Sequence, residues 1–284
     1  MRAFQILRTK NNQNFKVADF EIFTMVLSAL EWRKYNGEIF LYTDSIGLQI
    51  VQDAGISEIW DGVYTSLNVL DNLGIDENIF WAGAKIFALG YNPLPCVMID
   101  LDFIVWQPLN FDRFKNELAV IHRESTDLPC YPRADFFNFD DNFTLPENLN
   151  WQLEPCNAAF VYYGNEKFVK AYRDFAFEFM QKSAPLETQN GWDLLPYMVF
   201  IEQRWFAMCA ELCGVKIHSL SNMQELLDGG QNFYTHIWGY KQYLRDNPTE
   251  SEKFCRDCAG RINYDFPHFA EKFSKLEQWQ KYFD

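Results

Sequence analysis

The chain has 284 residues, 18% of them aromatic, with 27 phenylalanines. Its formal net charge of -14 excludes general binding to nucleic acid or anionic lipid. The seven cysteines are odd in number and form no dense framework, which points to reduced thiols and a cytoplasmic location.

Phe4 to Leu7 reads as a first strand, and Thr9 to Asn14 as a polar loop. Asp19 can cap a helix whose Phe20, Phe23, Leu27 and Leu30 share one face, ended by Asn36-Gly37. A strand from Glu38 to Tyr42 follows, then a helix from Ile46 that stops at Gly55. Glu58 to Val63 is a third strand, and Asp76 starts a helix over residues 77–89 that Gly90 closes. After a Pro-containing loop comes Val97-Met98-Ile99-Asp100-Leu101-Asp102, an apolar strand ending in two carboxylates. This alternation predicts an α/β sheet with its ligand site at the carboxyl ends of the strands.

Leu118 to His122 is a further strand. Residues 125–150 have little periodicity and read as a long loop of the length used for lids or left disordered. Cys156 to Tyr163 is strand-like, and Asn165 opens an amphipathic helix through Phe168, Tyr172 and Phe179. Pro196 begins a helix running to Leu212, Val215 to Leu220 is a strand, and residues 221–240 are loop-rich. The tail from Glu252 is mostly helical, with charges of mixed sign unlike a basic membrane-binding face. The N-terminus has no signal-peptide pattern, and no apolar run approaches the length of a membrane span.

Five constellations could carry chemistry. Burying Asp100 and Asp102 near each other is costly unless a cation sits between them. Alternate residues in a strand point to opposite faces, but at a strand end the backbone turns and both can reach one ion. Oxygen ligands select magnesium, manganese or calcium over zinc. In Thr235-His236-Ile237-Trp238-Gly239-Tyr240-Lys241, His236 can complete a metal shell. There Gly239 lets backbone approach a phosphate and Lys241 supplies charge. Lys85, on an otherwise apolar helix, either snorkels outward or reaches a ligand. Glu202 lies on the core side of its helix beside Gln203 and wants a ligand or a basic partner, Arg204 or another. Asn157 could read sugar hydroxyls or cap its own backbone. Cys255-Arg256-Asp257-Cys258 lacks a second pair at zinc-finger spacing, so structural zinc is set aside.

In this order the motifs resemble the GT-A glycosyltransferases, and are most similar to the retaining, metal-dependent family 8 and related Asp-x-Asp sugar-binding families. The resemblance rests on Lys85 before the strand and Asp100-Leu101-Asp102 followed by a hydrophobic strand ending in Pro108-Leu109. It also rests on Asn157-Ala158-Ala159, Glu202-Gln203 and His236-x-x-Gly239-x-Lys241. Ala159 stands where the family has Gly, Glu202 where it has Asp, and the gap from Gly239 to Lys241 is shorter than usual. These departures mark a divergent branch, so donor and acceptor are not carried over.

The resemblance implies a single GT-A domain over residues 1–284, with a Rossmann-like mixed central sheet flanked by helices. Residues 1–109 would be its nucleotide-binding half, 110–241 its acceptor half, and 242–284 a helical tail. Asp100, Asp102 and His236 would hold manganese or magnesium against the diphosphate of a nucleotide-sugar donor, UDP-sugar by expectation. Lys85, Leu101, Gly239 and Lys241 would complete the donor site, and Asn157, Glu202 and Gln203 would border the sugar. Transfer would go to a glycan or other hydroxyl acceptor with retention, and peripheral membrane contact is left open. Two rivals are a haloacid-dehalogenase-like phosphohydrolase, whose Asp-x-Asp normally follows the first strand, and a non-catalytic carbohydrate-binding protein rich in stacking aromatics.

Overall fold

The computed structural model describes residues 1–140 and 143–283. Asp141 and Asn142, in the predicted loop of residues 125–150, and Asp284, at the end of the predicted tail, lie outside the described residues. The architecture is mixed α/β, with seven strands in a mixed sheet, two in an antiparallel ribbon, and flanking helices.

The strands are β1 (Arg2–Leu7), β2 (Ile39–Thr43), β3 (Gly62–Tyr64), β4 (Cys96–Ile99), β5 (Phe103–Val105), β6 (Leu118–Val120), β7 (Phe160–Tyr163), β8 (Ile217–Ser219) and β9 (Tyr234–His236). The first helices are α1 (Asp19–Tyr35), α2 (Ser45–Asp53), α3 (Gly83–Leu89), α4 (Glu166–Lys182), α5 (Leu195–Val199) and α6 (Trp205–Cys213). They are followed by α7 (Met223–Leu227), α8 (Lys241–Asp246), α9 (Pro248–Asp265), α10 (Pro267–Phe273) and α11 (Glu277–Gln280).

The chain divides into two compact units. The first comprises Met1–Asn68, Ile99–Asn110 and Asn232–Asp284. Here β1 and β3 both pair with β2 in parallel, and β5 pairs with β9 antiparallel. Helix α1 begins one residue earlier than the predicted cap requires. Ala18 is the cap, and its N–H donates to the Glu21 carboxylate. The helix was expected to bury one stripe, yet every residue from Ile22 to Trp32 is buried. The reason is the tail: Phe23 meets Phe273, Trp279 and Tyr282 edge-on at 5.2–5.7 Å. A helix covered on all sides carries apolar residues all round.

The second unit comprises Val69–Met98 and Phe111–Gln231. In it β6 pairs antiparallel with β7 and parallel with β8. The predicted helix over residues 77–89 is only half formed. Asp76 caps a single turn through the Asn78 N–H, and the Ala82 N–H then donates to Met198 Sδ instead of continuing the helical ladder. Regular helix starts at Gly83. The predicted strand of residues 156–163 is regular only from Phe160, with Cys156 bridging Arg123 in isolation. The predicted loop of residues 125–150 is irregular but not a free lid: Tyr131, Phe137, Phe143 and Leu149 are buried. Phe137 packs against Phe179, Tyr197 and Phe200 at 4.8–5.7 Å. Burying a Phe contributes roughly 2–3 kcal/mol, enough to tie down irregular backbone.

The predicted helix of residues 196–212 is three segments. Between α5 and α6, Phe200–Arg204 form a π turn, closed by the Trp205 N–H donating to Phe200 O. Gly214 then ends α6 in the left-handed conformation, at φ 68°.

Candidate functional site

In the first unit, β4 ends at Ile99 and the chain turns through Asp100, Leu101 and Asp102 before β5. The Phe103 N–H donates to Asp100 O at 3.0 Å and closes that turn. This is the bend that lets two carboxylates one residue apart face one point. The β5–β9 ribbon sets Phe103 opposite His236, so the histidine stands one residue from Asp102 across the ladder. Ligand atoms of Asp100, Asp102 and His236 lie within 4.8 Å of one another. Asp102 is 5% exposed. Its Oδ2 is 2.9 Å from Lys241 Nζ and 3.7 Å from His236 Nε2, yet it accepts no well-directed hydrogen bond. A buried carboxylate oxygen so placed, with a second carboxylate and an imidazole beside it, fits a divalent cation. Gly239 lies in the turn Trp238–Tyr240, where a Cβ would meet nothing within 4 Å, so a ligand can approach that backbone.

Behind the turn is a polar strut. Gln5 and Ser28 are buried, on β1 and α1. Trp60 Nε1–H donates to Gln5 Oε1 at 2.8 Å, and Gln5 Nε2–H donates to Ser28 Oγ at 2.8 Å. Gln5 Nε2 also reaches Asp100 O at 3.4 Å, and the Ser28 hydroxyl donates to Phe103 O at 2.5 Å. Both ends of the Asp-Leu-Asp turn are thus held from inside the unit.

The second unit gathers a different group. Lys85, on α3, is 2.7 Å from Glu202 Oε1, and Glu202 is buried. The sequence allows Lys85 either to snorkel outward or to reach a ligand; in the structure its ammonium pairs with the Glu202 carboxylate. Glu202 finds its basic partner in Lys85, not in Arg204. Arg204 donates instead to the carbonyls of Tyr131, Pro132 and Trp151 at 2.6–2.9 Å. Burial lowers the pKa of the Arg204 guanidinium. Gln203, next to Glu202 in the π turn, accepts a short hydrogen bond from the Tyr131 hydroxyl. Burial, then the charges of Glu124 and other neighbours, pushes the Tyr131 phenol well up. Asn157 caps its own turn and also bonds a carboxylate. Its Oδ1 accepts from the Ala159 N–H at 3.1 Å, a turn cap, while its Nδ2 donates to Glu124 Oε1 at 2.9 Å. π turns often occur at functional sites, and this one carries Glu202 and Gln203.

A family profile described as a family of unknown function (DUF6734) matches residues 5–276. The chain belongs to that family. All ten residues singled out from the sequence fall within the matched span of this DUF6734 member. A comparison with curated proteins finds no match. Among solved structures, the chain is similar to mouse xyloside xylosyltransferase 1 in its apo form, at 12% identity and a TM-score of 0.42 over 77% of this chain and 84% of that one. It is also similar to the PaToxG glycosyltransferase, at 12% identity and a TM-score of 0.41 over 99% of this chain and 86% of that one. Both likenesses are distant.

Sequence reasoning missed several residues in this DUF6734 chain. The strut of Gln5 and Ser28 left a signal, two polar side chains inside otherwise apolar runs of β1 and α1. Arg8 and Asp44, at the carboxyl ends of β1 and β2, form a buried ion pair at 3.0 Å. Glu124, beside Asn157, fell between the predicted strand ending at His122 and the predicted loop from residue 125, in neither element. All seven cysteines stand as free thiols. Burial pushes the Cys255 thiol up to about 12. Among the described residues, the one group of three or more ligating side chains is Asp100, Asp102 and His236, and no cysteine belongs to it. Among those residues, no helix is long and apolar enough to cross a membrane.

Proposed function

We propose that the protein is a metal-dependent glycosyltransferase of the GT-A type, moving a sugar from a nucleotide-diphosphate donor to a hydroxyl acceptor. The observation that carries this reading is the convergence of Asp100, Asp102 and His236 within 4.8 Å. Residues more than a hundred positions apart meet there through one turn and one ribbon, with an acceptor oxygen of Asp102 buried and poorly satisfied. The motif order along the sequence supports sugar transfer over other metal chemistry. The Asp-x-Asp follows β4, which speaks against the phosphohydrolase, where it would follow the first strand.

In this reading Asp100, Asp102 and His236 hold manganese or magnesium. The bound ion supplies a Lewis acid for the departing diphosphate. Lys241, 2.9 Å from Asp102 Oδ2, would supply positive charge toward the donor's phosphates. Leu101 and Gly239 offer backbone to the donor. Lys85 adds positive charge and pairs with Glu202, and Asn157, Glu202 and Gln203 border the sugar. UDP is the proposed nucleotide, retention the proposed stereochemistry, and a glycan or other hydroxyl compound the proposed acceptor. Seven free thiols support a cytoplasmic location.

The test is thermal unfolding with nucleotide and metal. UDP with manganese is expected to raise the Tm of the wild type, and Asp102→Asn to abolish the rise. A wild type indifferent to every nucleotide with manganese or magnesium would overturn the reading.

A further inference from the structure

A cleft of about 830 Å³ opens on the second unit, and none of the ten residues singled out from the sequence lines it. One wall is the loop Asn92-Pro93-Leu94-Pro95 that leads into β4. The other is the first two turns of α4, which bring Lys167, Lys170 and Arg173 to the same cleft. Asn165 fixes the floor. Its Nδ2 donates to Asn116 O at 3.0 Å, and its Oδ1 accepts from the Phe168 N–H at 2.9 Å. Among the described residues, Glu166 is the one acid of the lining. Three cations thus face one acid there, in a chain whose net charge is -14.

Arg173 is half-buried and held in place. Its Nε–H donates to Ile86 O at 3.1 Å in the last turn of α3, and its guanidinium carbon lies 5.7 Å from the centre of the Phe177 ring. Gly90 makes the room, since a Cβ there would stand 2.3 Å from Arg173 Nη2. Capping α3 uses Nε alone. Among the described residues neither Nη has an acceptor, no carboxylate lies within 4.0 Å of the group, and both Nη atoms reach open space. Burial lowers the pKa of this guanidinium, and the charges of Asp174 and Tyr91 offset only part of that. A partly desolvated cation without a counter-ion is costly until an anion completes it. Lys167 also has no carboxylate within 4.0 Å among the described residues. Lys170 pairs with Asp174, but both are exposed, and such a pair contributes little and opens readily.

We propose that this cleft binds a phosphorylated small molecule, with Arg173 and Lys167 as the contacts to its phosphate. The Nη hydrogens of Arg173 form a planar fork that matches two phosphate oxygens, and Lys167 adds a point charge. A phosphate dianion answers several cations better than a single carboxylate does. The cleft has the volume of a small-molecule site, larger than a lone ion needs, and Pro93, Pro95 and Val169 offer an apolar wall to the rest of the ligand. Among the described residues its lining carries no aromatic ring on which a base could stack, so the body of the ligand is a sugar or another non-aromatic group. The proposal does not depend on the glycosyltransferase reading, because it uses no residue of the metal or donor site.

The test is titration calorimetry on the whole chain in EDTA, so that no metal-loaded site contributes. The probes are pyrophosphate, glucose 1-phosphate and succinate, a dicarboxylate dianion, all at matched ionic strength. At least one of the two phosphate compounds should bind, and more tightly than succinate. Losing a hydrogen bond to a charged group should weaken that binding by about tenfold to a hundredfold in Arg173→Gln. Lys167→Gln, which breaks no contact within the fold, should weaken it in the same direction. Gly90→Ala keeps every charge but sets a methyl where Nη2 lies, so it should also weaken binding, and it serves if Arg173→Gln does not fold. A wild type that binds neither phosphate compound overturns the proposal. So does succinate binding as tight as theirs, or wild-type affinity retained in any folded variant of the three.

Discussion

Two buried aspartates of the first unit, each at the end of a strand, are treated in opposite ways. Asp44, after β2, is fully buried and saturated. It accepts from the Thr9 N–H at 2.8 Å, the Thr9 hydroxyl at 2.7 Å, the Gly47 N–H at 2.8 Å and the Asn11 N–H at 3.3 Å, and it pairs with Arg8. Burial alone would raise its pKa. The Thr9 and backbone donors outweigh burial and hold the carboxyl below its usual value. Lys10 and Asn11, both in the left-handed region at φ 57° and 49°, follow from the same grip, because the loop must bend sharply to aim its N–H groups at one carboxylate. Asp102, after β4, is almost as buried, yet its Oδ2 has Lys241 and His236 beside it and no well-directed donor. The fold completes one carboxylate from within and leaves an oxygen of the other without a directed donor. Burial identifies neither role by itself; the count of directed donors does.

That contrast can be broken by stability measurements. The largest effect should come from Asp44→Ala, which strands Arg8 and several backbone donors. Urea unfolding should record a loss of about 3–5 kcal/mol. Glu31 on α1 offers an intermediate case. It is fully buried, with Lys34 Nζ at 3.7 Å, Arg261 Nε at 4.0 Å and the Asp265 carboxylate beside it. Burial raises its pKa from 4.5 to about 7, against the pull of Lys34 and with further help from Asp265. Between those two values the folded protein keeps the proton and the unfolded chain does not. Stability should therefore fall as pH rises from about 4.5 to about 7, by roughly 3 kcal/mol at most, and then level off. Glu31→Gln should flatten that slope in urea titrations run at several pH values. The smallest effect should be Asp102→Asn in the absence of metal. Its partner Lys241 is partly exposed, and the expected change is within about 1 kcal/mol. An Asp102→Asn loss as large as that of Asp44→Ala would end the distinction between a saturated and an unsaturated carboxylate.

The Asp100–Asp102 half of the cluster was legible in the sequence because its logic is local: a strand ending in Asp-x-Asp must turn. His236 lies 134 positions beyond Asp102 and came in through the order of the motifs and the resemblance it carries. The need of Glu202 for a partner was legible too, since an inward carboxylate follows from helical spacing. Lys85 as the answer was not, because 117 positions separate the two and no periodicity relates them. The helix over residues 77–89 was overextended because its apolar spacing suits a helix, while the Met198 sulfur takes the Ala82 N–H that would have continued it. The buried phenylalanines of residues 125–150 were hidden for a related reason. Irregular backbone has no period to betray which of its side chains face inward, so aromatic content was the only available hint.

The π turn at residues 200–204 carries a consequence for how this site could arise or be lost. Such a turn holds one residue more than the helical register needs. Deleting a single codon there would let α5 and α6 close into one regular helix. Everything on one side would then rotate by about 100° relative to the other. Gln203 could not keep both its side-chain bond to Tyr131 and its carbonyl bond to the Cys156 N–H. Glu202 would leave the side that faces Lys85. One inserted amino acid is thus the heritable difference between an ordinary packing helix and one that turns an acid toward Lys85 and an amide toward Tyr131.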